Sequence, residues 1–307
     1  SSDVCSSDLE TMMKLSASHG IMGAIPGTGE FFTPRESFTA MKKAGYDRVD
    51  VSLWSLCKPG RPLTGEHWEE TIDELVAATE EAGLPVHQTH GNVLTGEQWD
   101  DPAYPDREFY HETVLRCIEG ARRLGASWMV LHPYNLAHAP LYNRQDNLRA
   151  CVAFLAPYIE AAKKAGIGIA VENMIDFRRR HRRYCAGDVY ELIELIDTIN
   201  DPAVGICYDT GHGNISGMVP GEAIRAIGKR LVCTHINDNH AGRPEDEHLL
   251  PYFGNIDWTL VMKALHEIGY EGDFAYEIGS HTIPPEARDA WLRYTVEIGR
   301  KLLALEV

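Results

Sequence analysis

The chain has 307 residues, 44% of them hydrophobic, enough for a large core, and no apolar run approaches the ~20 residues that span a bilayer. The formal net charge of −16 argues against nucleic acid as a partner, because phosphate binding needs a basic surface. Seven cysteines stand singly with no C-x-x-C pair, which argues against a disulfide framework or a zinc–cysteine site and points to a reduced cytoplasm.

The opening SSDVCSSDLE is polar, repetitive and unlike the remainder of the chain. Residues 1–12 therefore read as an extraneous or disordered leader without the basic start and apolar stretch of a signal peptide, and residues 13–307 as one catalytic domain. Short β-branched, apolar segments then alternate with longer amphipathic ones. Strands are expected at Lys14–Gly20, Arg48–Trp54, Pro85–Asn92, Trp128–Pro133, Gly168–Asn173, Val204–His212, Leu231–Asn239 and Asp273–Gly279. Helices are expected between them, the first capped by Thr33 with Pro34 at its first position. The later ones cover His67–Ala82, Glu108–Leu124, Asn147–Ala165, Asp188–Ile199, Gly221–Lys229, Asp257–Ile268 and Pro285–Leu303. Steps such as Ala82-Gly83, Ala165-Gly166 and Ile268-Gly269 place a glycine where a helix must end in a left-handed residue.

Repeated strand–helix units imply a parallel sheet. Eight of them, with no clean G-x-G-x-x-G after the first strand, fit a single α/β (β/α)₈ TIM barrel better than an open doubly wound sheet. In such a barrel the active site lies at the C-terminal ends of the strands. The late strands bring a compact polar set there: Glu172 after GIAV, Asp209 and then His212 in CYDTGH, His235 and then Asp238 in CTHIND, and Glu277 in FAYEIG. A lone glutamate at a strand end is usually a salt-bridge partner. Charges on four consecutive strands, each following an apolar run, need common compensation, and a divalent cation provides it. Three carboxylates and an imidazole form a hard, mixed oxygen and nitrogen site suited to Mn²⁺, Mg²⁺, Co²⁺ or Zn²⁺.

The segments VEN, CYDTGH, HINDN and YEIG resemble the sugar isomerase/epimerase superfamily of xylose-isomerase-like barrels, whose ketose 3-epimerase branch is best understood. The resemblance runs from about Lys14 to the end and is most specific in the C-terminal half. It implies Mn²⁺ held by Glu172, Asp209, His235 and Glu277, a substrate-binding role for His212, and a homo-oligomer acting on a small carbohydrate. It further implies isomerisation or epimerisation through an enediolate, with Glu172 and Glu277 as the proton-transfer pair. A lyase on the same scaffold, such as an inosose-type dehydratase or a 3-keto-glycoside cleaving enzyme, is the alternative, and a non-catalytic carbohydrate-binding barrel a more distant one. The ketose epimerases carry a substrate-binding arginine shortly after the histidine ligand; here the counterpart is Arg243, later in a longer and more acidic loop, which marks a departure from a plain ketose site.

The early strands end in His19, Asp50 with Trp54, His90 with Asn92, and His132 with Tyr134, which as a ring would line a sugar pocket or pack beneath one. Additional metal ligation, as in apurinic endonucleases of the same fold, calls for several more His and Glu ligands and a basic DNA groove, and the acidic balance argues against it. The run FRRRHRRY after the fifth strand reads more simply as a solvated loop or oligomer contact than as an anion subsite. The Trp-, Asp- and Pro-rich segment Gly91–Arg107 suits either a lid or a subunit contact.

Overall fold

A computed structural model describes residues 13–23, 25, 31–93, 107–136, 142–176, 184–243, 245–279 and 283–307. The leader, the basic run at 177–183 and most of the Trp-, Asp- and Pro-rich segment lie outside them. The strands are β1 (Lys14–Ala17), β2 (Val49–Ser52), β3 (Val86–His90), β4 (Trp128–Leu131), β5 (Gly168–Glu172), β6 (Val204–Asp209), β7 (Leu231–His235) and β8 (Asp273–Tyr276). The helices between and after them are α1 (Pro34–Ala44), α2 (Trp68–Ala82), α3 (Arg107–Arg123), α4 (Arg144–Ala165), α5 (Val189–Ile199), α6 (Thr210–Ile215), α7 (Pro220–Ile227), α8 (Trp258–Ile268) and α9 (Arg288–Leu303).

Local chemistry explains the helix limits. Thr33 and Glu36 form a reciprocal capping box at the start of α1, with Pro34 at its first position, and Gly45 ends it at φ 109°. Helix α5 buries Val189, Leu192, Leu195 and Ile196, a 3.6-residue stripe that turns one face to the sheet. Asn200 closes it in the left-handed conformation at φ 48°.

All paired strands run parallel, in the order β2-β3-β4-β5-β6-β7 with β1 beside β8. Two short seams close the ring. The bridge Ser18↔Asp50 joins β1 to β2, and the bridge Ile236↔Tyr276 joins β7 to β8. At the second seam the Ile236 N–H donates to the Ala275 carbonyl at 2.7 Å, and the Glu277 N–H donates to the Ile236 carbonyl at 3.1 Å. The result is a closed (β/α)₈ barrel, so no sheet edge is left unpaired between β1 and β8.

The strands are shorter than their sequence pattern suggests. β1 stops at Ala17 and β2 at Ser52, so His19 and Trp54 fall in 3₁₀ turns rather than in strands. β6 stops at Asp209, because the Asp209 side chain accepts the His212 N–H at 2.6 Å and starts α6. His212 is therefore a helical residue.

Within a strand, alternate residues share a face. Val130, Ala170, Cys207 and Cys233 form a small buried cluster inside the ring, with Trp128 and Val232 packed against it. Gly168 and Gly205 leave the space these two fill: a Cβ on either would overlap the Trp128 ring or the Val232 methyls. Two residues further along β5, β6 and β7 come Glu172, Asp209 and His235, all buried. The apolar plug below them fixes the depth of the polar mouth above.

Candidate metal centre

Glu172, Asp209, His235 and Glu277 converge as the sequence pattern requires, each offering one ligand atom, all within 4.8 Å of one another. His235 Nδ1 lies 3.0 Å from Glu172 Oε1 and 3.2 Å from Glu277 Oε2. Its other ring nitrogen, Nε2, faces Asp50 Oδ2 at 3.5 Å. Asp50 is in turn held by Gln88 Nε2 at 2.9 Å. With an ion bound, the carboxylate behind the imidazole would fix the tautomer that turns the Nδ1 lone pair to the ligand cluster. Asp209 is oriented from three sides: Asn237 Nδ2 donates to its Oδ2 at 2.7 Å, the His212 N–H to its Oδ1, and its own N–H donates to Asn173 Oδ1 at 2.6 Å. Asn173 and Asn237 escaped the strand-end reading. The signal available was their position directly beside the ligands, in VEN and HIND.

The electrostatics agree with a cation site. Burial, reinforced by the charges of Glu277, Glu172 and Asp246, pushes the Asp209 carboxyl up to about 7, against the pull of His212. Burial would also raise Glu172 and Glu277, but the imidazoles around them outweigh it. His235, His132 and His90 hold Glu172 well below the usual range, and His235 with His248 holds Glu277 at about 2. In turn the charges of Glu277 and Glu172 hold the His235 imidazole well above its usual range despite its burial. The donor set fits a divalent ion with a preference for oxygen and imidazole ligands. A soft thiolate site does not fit: burial pushes the nearby Cys207 thiol up to about 12, and the six described cysteines are all free.

The early-strand histidines sit closer to the centre than simple pocket lining. His90 Nε2 and His132 Nε2 face Glu172 Oε2 at 3.3 and 3.2 Å. Burial lowers both histidines; the Glu172 hydrogen bond and charge reverse this for His90 but not for His132. His212 Nδ1 lies 3.5 Å from Glu172 Oε1 and meets the Asn173 carbonyl at 2.8 Å. Two residues not singled out from the sequence, Asp246 and His248, join it from the loop after β7. Imidazole and carboxylate donors are therefore more numerous here than the acidic composition suggested.

Other candidates take other roles. His19 Nδ1 accepts the Ser52 N–H at 3.1 Å, tying the first two strand ends together. Trp54 is half-buried, with Lys58 Nζ 5.0 Å from its ring centroid. Asn92 donates to Thr113 Oγ1 at 2.8 Å. The Arg243 side chain is 62% exposed and pairs with Glu247 at 3.4 Å on its own loop. Asp238 stays out of the cluster and organises the loop from β7 to α8 instead: its carboxyl accepts the N–H groups of Asn239, Tyr252 and Ile256 and the Trp258 indole N–H.

Comparison with known proteins agrees with this architecture. An uncharacterised protein of Methanocaldococcus jannaschii, MJ1311, is 32% identical over 174 residues, 56% of this chain and 57% of that protein's length. An L-ribulose 3-epimerase of Methylomonas sp. is 24% identical over 256 residues, covering 81% of this chain and 79% of the relative. The crystal structure of a D-tagatose 3-epimerase-like protein superposes with a TM-score of 0.72 at 24% identity, over 95% of this chain and 97% of the other. Residues 38–301 match the family described as xylose isomerase-like TIM barrel, and the chain belongs to that family.

Proposed function

We propose that this protein is a divalent-metal-dependent sugar epimerase or isomerase that works by proton transfer through an enediolate. The observation that carries the reading is the convergence of Glu172, Asp209, His235 and Glu277 at the barrel mouth within 4.8 Å. Those four would hold the ion, with Mn²⁺ the first candidate. A bound divalent ion supplies Lewis-acid stabilisation of negative charge on substrate oxygens.

The chain's own groups supply the proton chemistry. Glu172 and Glu277 both meet His235 Nδ1, at 3.0 and 3.2 Å. One carboxylate takes the C–H proton beside the substrate carbonyl; the other, protonated, returns a proton to the opposite face, so the carbon inverts. General acid–base catalysis of this kind contributes about 10²–10⁴-fold. Glu277 is the more open of the two, with its side chain 24% exposed against 1% for Glu172, so it meets substrate from the solvent side. His132 and His90 restrain the second Glu172 oxygen and keep the group ionised.

The test is a panel of free, phosphorylated and 3-keto sugars with Mn²⁺ in D₂O, followed by NMR. Epimer formation with deuterium at the reacting carbon is expected, and Glu172→Gln should stop the exchange. Exchange unchanged in that variant would remove its role as base. Loss of water or of an aglycone in place of epimer formation would assign the elimination reaction instead.

A further inference from the structure

We propose that Cys151 and Cys185 form a reversible disulfide that clamps two loops of the barrel mouth together under oxidising conditions. The inference does not depend on the proposed function, because it concerns the wall of the mouth and none of the four candidate ligands. The two residues are 34 positions apart in the chain, yet their sulfurs lie 3.5 Å from one another and both are buried.

The surroundings place each thiol. Cys151 lies in the first half of α4, where its S–H donates to the Tyr134 carbonyl at 2.9 Å. With that proton committed, the sulfur lone pairs are left for Cys185. Cys185 lies outside regular structure, on the turn that leads into α5, and its N–H donates to Asn135 Oδ1 at 3.1 Å. The next residue, Ala186, is left-handed at φ 60°, and its carbonyl accepts the Met174 N–H at 3.0 Å. The pair is thereby tied to the segment after β4, three residues beyond His132, and to the segment after β5, two residues beyond Glu172.

A disulfide holds its sulfurs at about 2.05 Å, so the pair must close by about 1.5 Å. Cys151 is fixed in a helix, so the turn at Cys185 makes the movement. The oxidant is a hydroperoxide, of which hydrogen peroxide is the simplest. The hydrogen bond with Cys185, together with burial, pushes the Cys151 thiol well up. Cys151 therefore stays protonated, and Cys185 is the sulfur that reacts first. The Cys185 thiolate attacks one peroxide oxygen, the O–O bond breaks, hydroxide leaves and a sulfenic acid forms. The Cys151 sulfur then attacks the Cys185 sulfur, the S–O bond breaks, and water leaves with the Cys151 proton. Two thiols and one hydrogen peroxide give one disulfide and two waters. A thiol reductant reverses the link by exchange.

A second thiol contact, Cys57 to Cys117 at 3.4 Å, joins the turn after β2 to α3. Neither of its cysteines lies in the segments after β4 and β5, so this pair serves as the internal comparison.

The test is peptide mapping by mass spectrometry. Full-length protein is treated with hydrogen peroxide, its remaining thiols are alkylated, and it is digested without reduction. A Cys151–Cys185 linked peptide is expected, and a thiol reductant should remove it. The melting temperature of the oxidised protein should rise by about 4–8 °C, because the link closes a long loop. Cys151→Ser and Cys185→Ser, checked for folding by circular dichroism, should show neither link nor rise, and Cys57→Ser should show both. An unreacted pair in the wild type, sulfinic or sulfonic acid at Cys185 without a link, or a Cys57–Cys117 link in its place would overturn the proposal. A Cys151–Cys185 link that leaves the melting temperature unchanged would overturn its role as a clamp.

Discussion

Asp238→Asn should destabilise the protein by about 3–4 kcal/mol, although Asp238 does not join the candidate metal centre; the estimate follows from two buried donors losing their acceptor. The carboxyl is fully buried. Oδ1 accepts the Asn239 N–H at 2.9 Å and the Ile256 N–H at 3.2 Å; Oδ2 accepts the Tyr252 N–H at 3.0 Å and the Trp258 Nε1–H at 2.9 Å. An asparagine keeps one oxygen and replaces the other with an NH₂ that confronts two donors. Each donor left buried without a partner costs about 1–3 kcal/mol, and two of them near the middle of that range give the total. At about 2 °C per kcal/mol for a domain of this size, the melting temperature should fall by about 6–8 °C. Asp238→Ala, which removes all four acceptors, should fall further. Thermal unfolding of metal-free protein, read by circular dichroism, measures both. A drop below about 2 °C for Asp238→Asn would show that the loop is held by something other than this carboxyl.

Gly211→Ala should weaken metal binding at the main centre by about 10–100-fold, the usual cost of disturbing a group that orients a ligand. A Cβ there would overlap Asn237 Oδ1 and approach Asn239 Nδ2 to 2.8 Å, displacing the amide that holds Asp209. Calorimetric titration with Mn²⁺ checks this, and unchanged affinity would show that Asn237 does not orient the ligand. Far from the mouth, Asp47 accepts two hydrogen bonds of 2.7 Å from Arg300 and one of 2.9 Å from the Leu15 N–H. Partial burial would raise its pKa, but these partners lower it below the ordinary 3.8. A depressed folded pKa stabilises above the unfolded value and loses that contribution as pH falls through the folded one. Asp47→Asn should therefore cost about 0.5–1 kcal/mol at pH 7, modest because the pair is part-exposed, and the gap should close as pH falls below the ordinary carboxylate range. A gap that persists there in urea titrations would contradict the ion-pair origin.

Local periodicity was enough to read much of this protein. Alternation of β-branched runs with amphipathic stretches ending in glycine specifies strand, helix and turn residue by residue, as the Thr33–Glu36 box and Gly45 illustrate. The same alternation puts Glu172, Asp209 and His235 on the inner face of their strands, two residues above Ala170, Cys207 and Cys233. Where each strand stops was not legible, because side-chain contacts at the mouth end it: Asp209 turns from strand residue to helix cap on meeting the His212 N–H. The supporting contacts were not legible either. Asp50 reaches His235, and His90 and His132 reach Glu172, only because closure of the ring brings distant strands face to face. Asp246 and His248 sit in a loop with no repeating pattern, and the left-handed turn at His248 that aims its ring leaves no periodic mark in the chain. Periodicity is a property of neighbours along the chain, whereas a ligand cluster is a property of neighbours across the barrel.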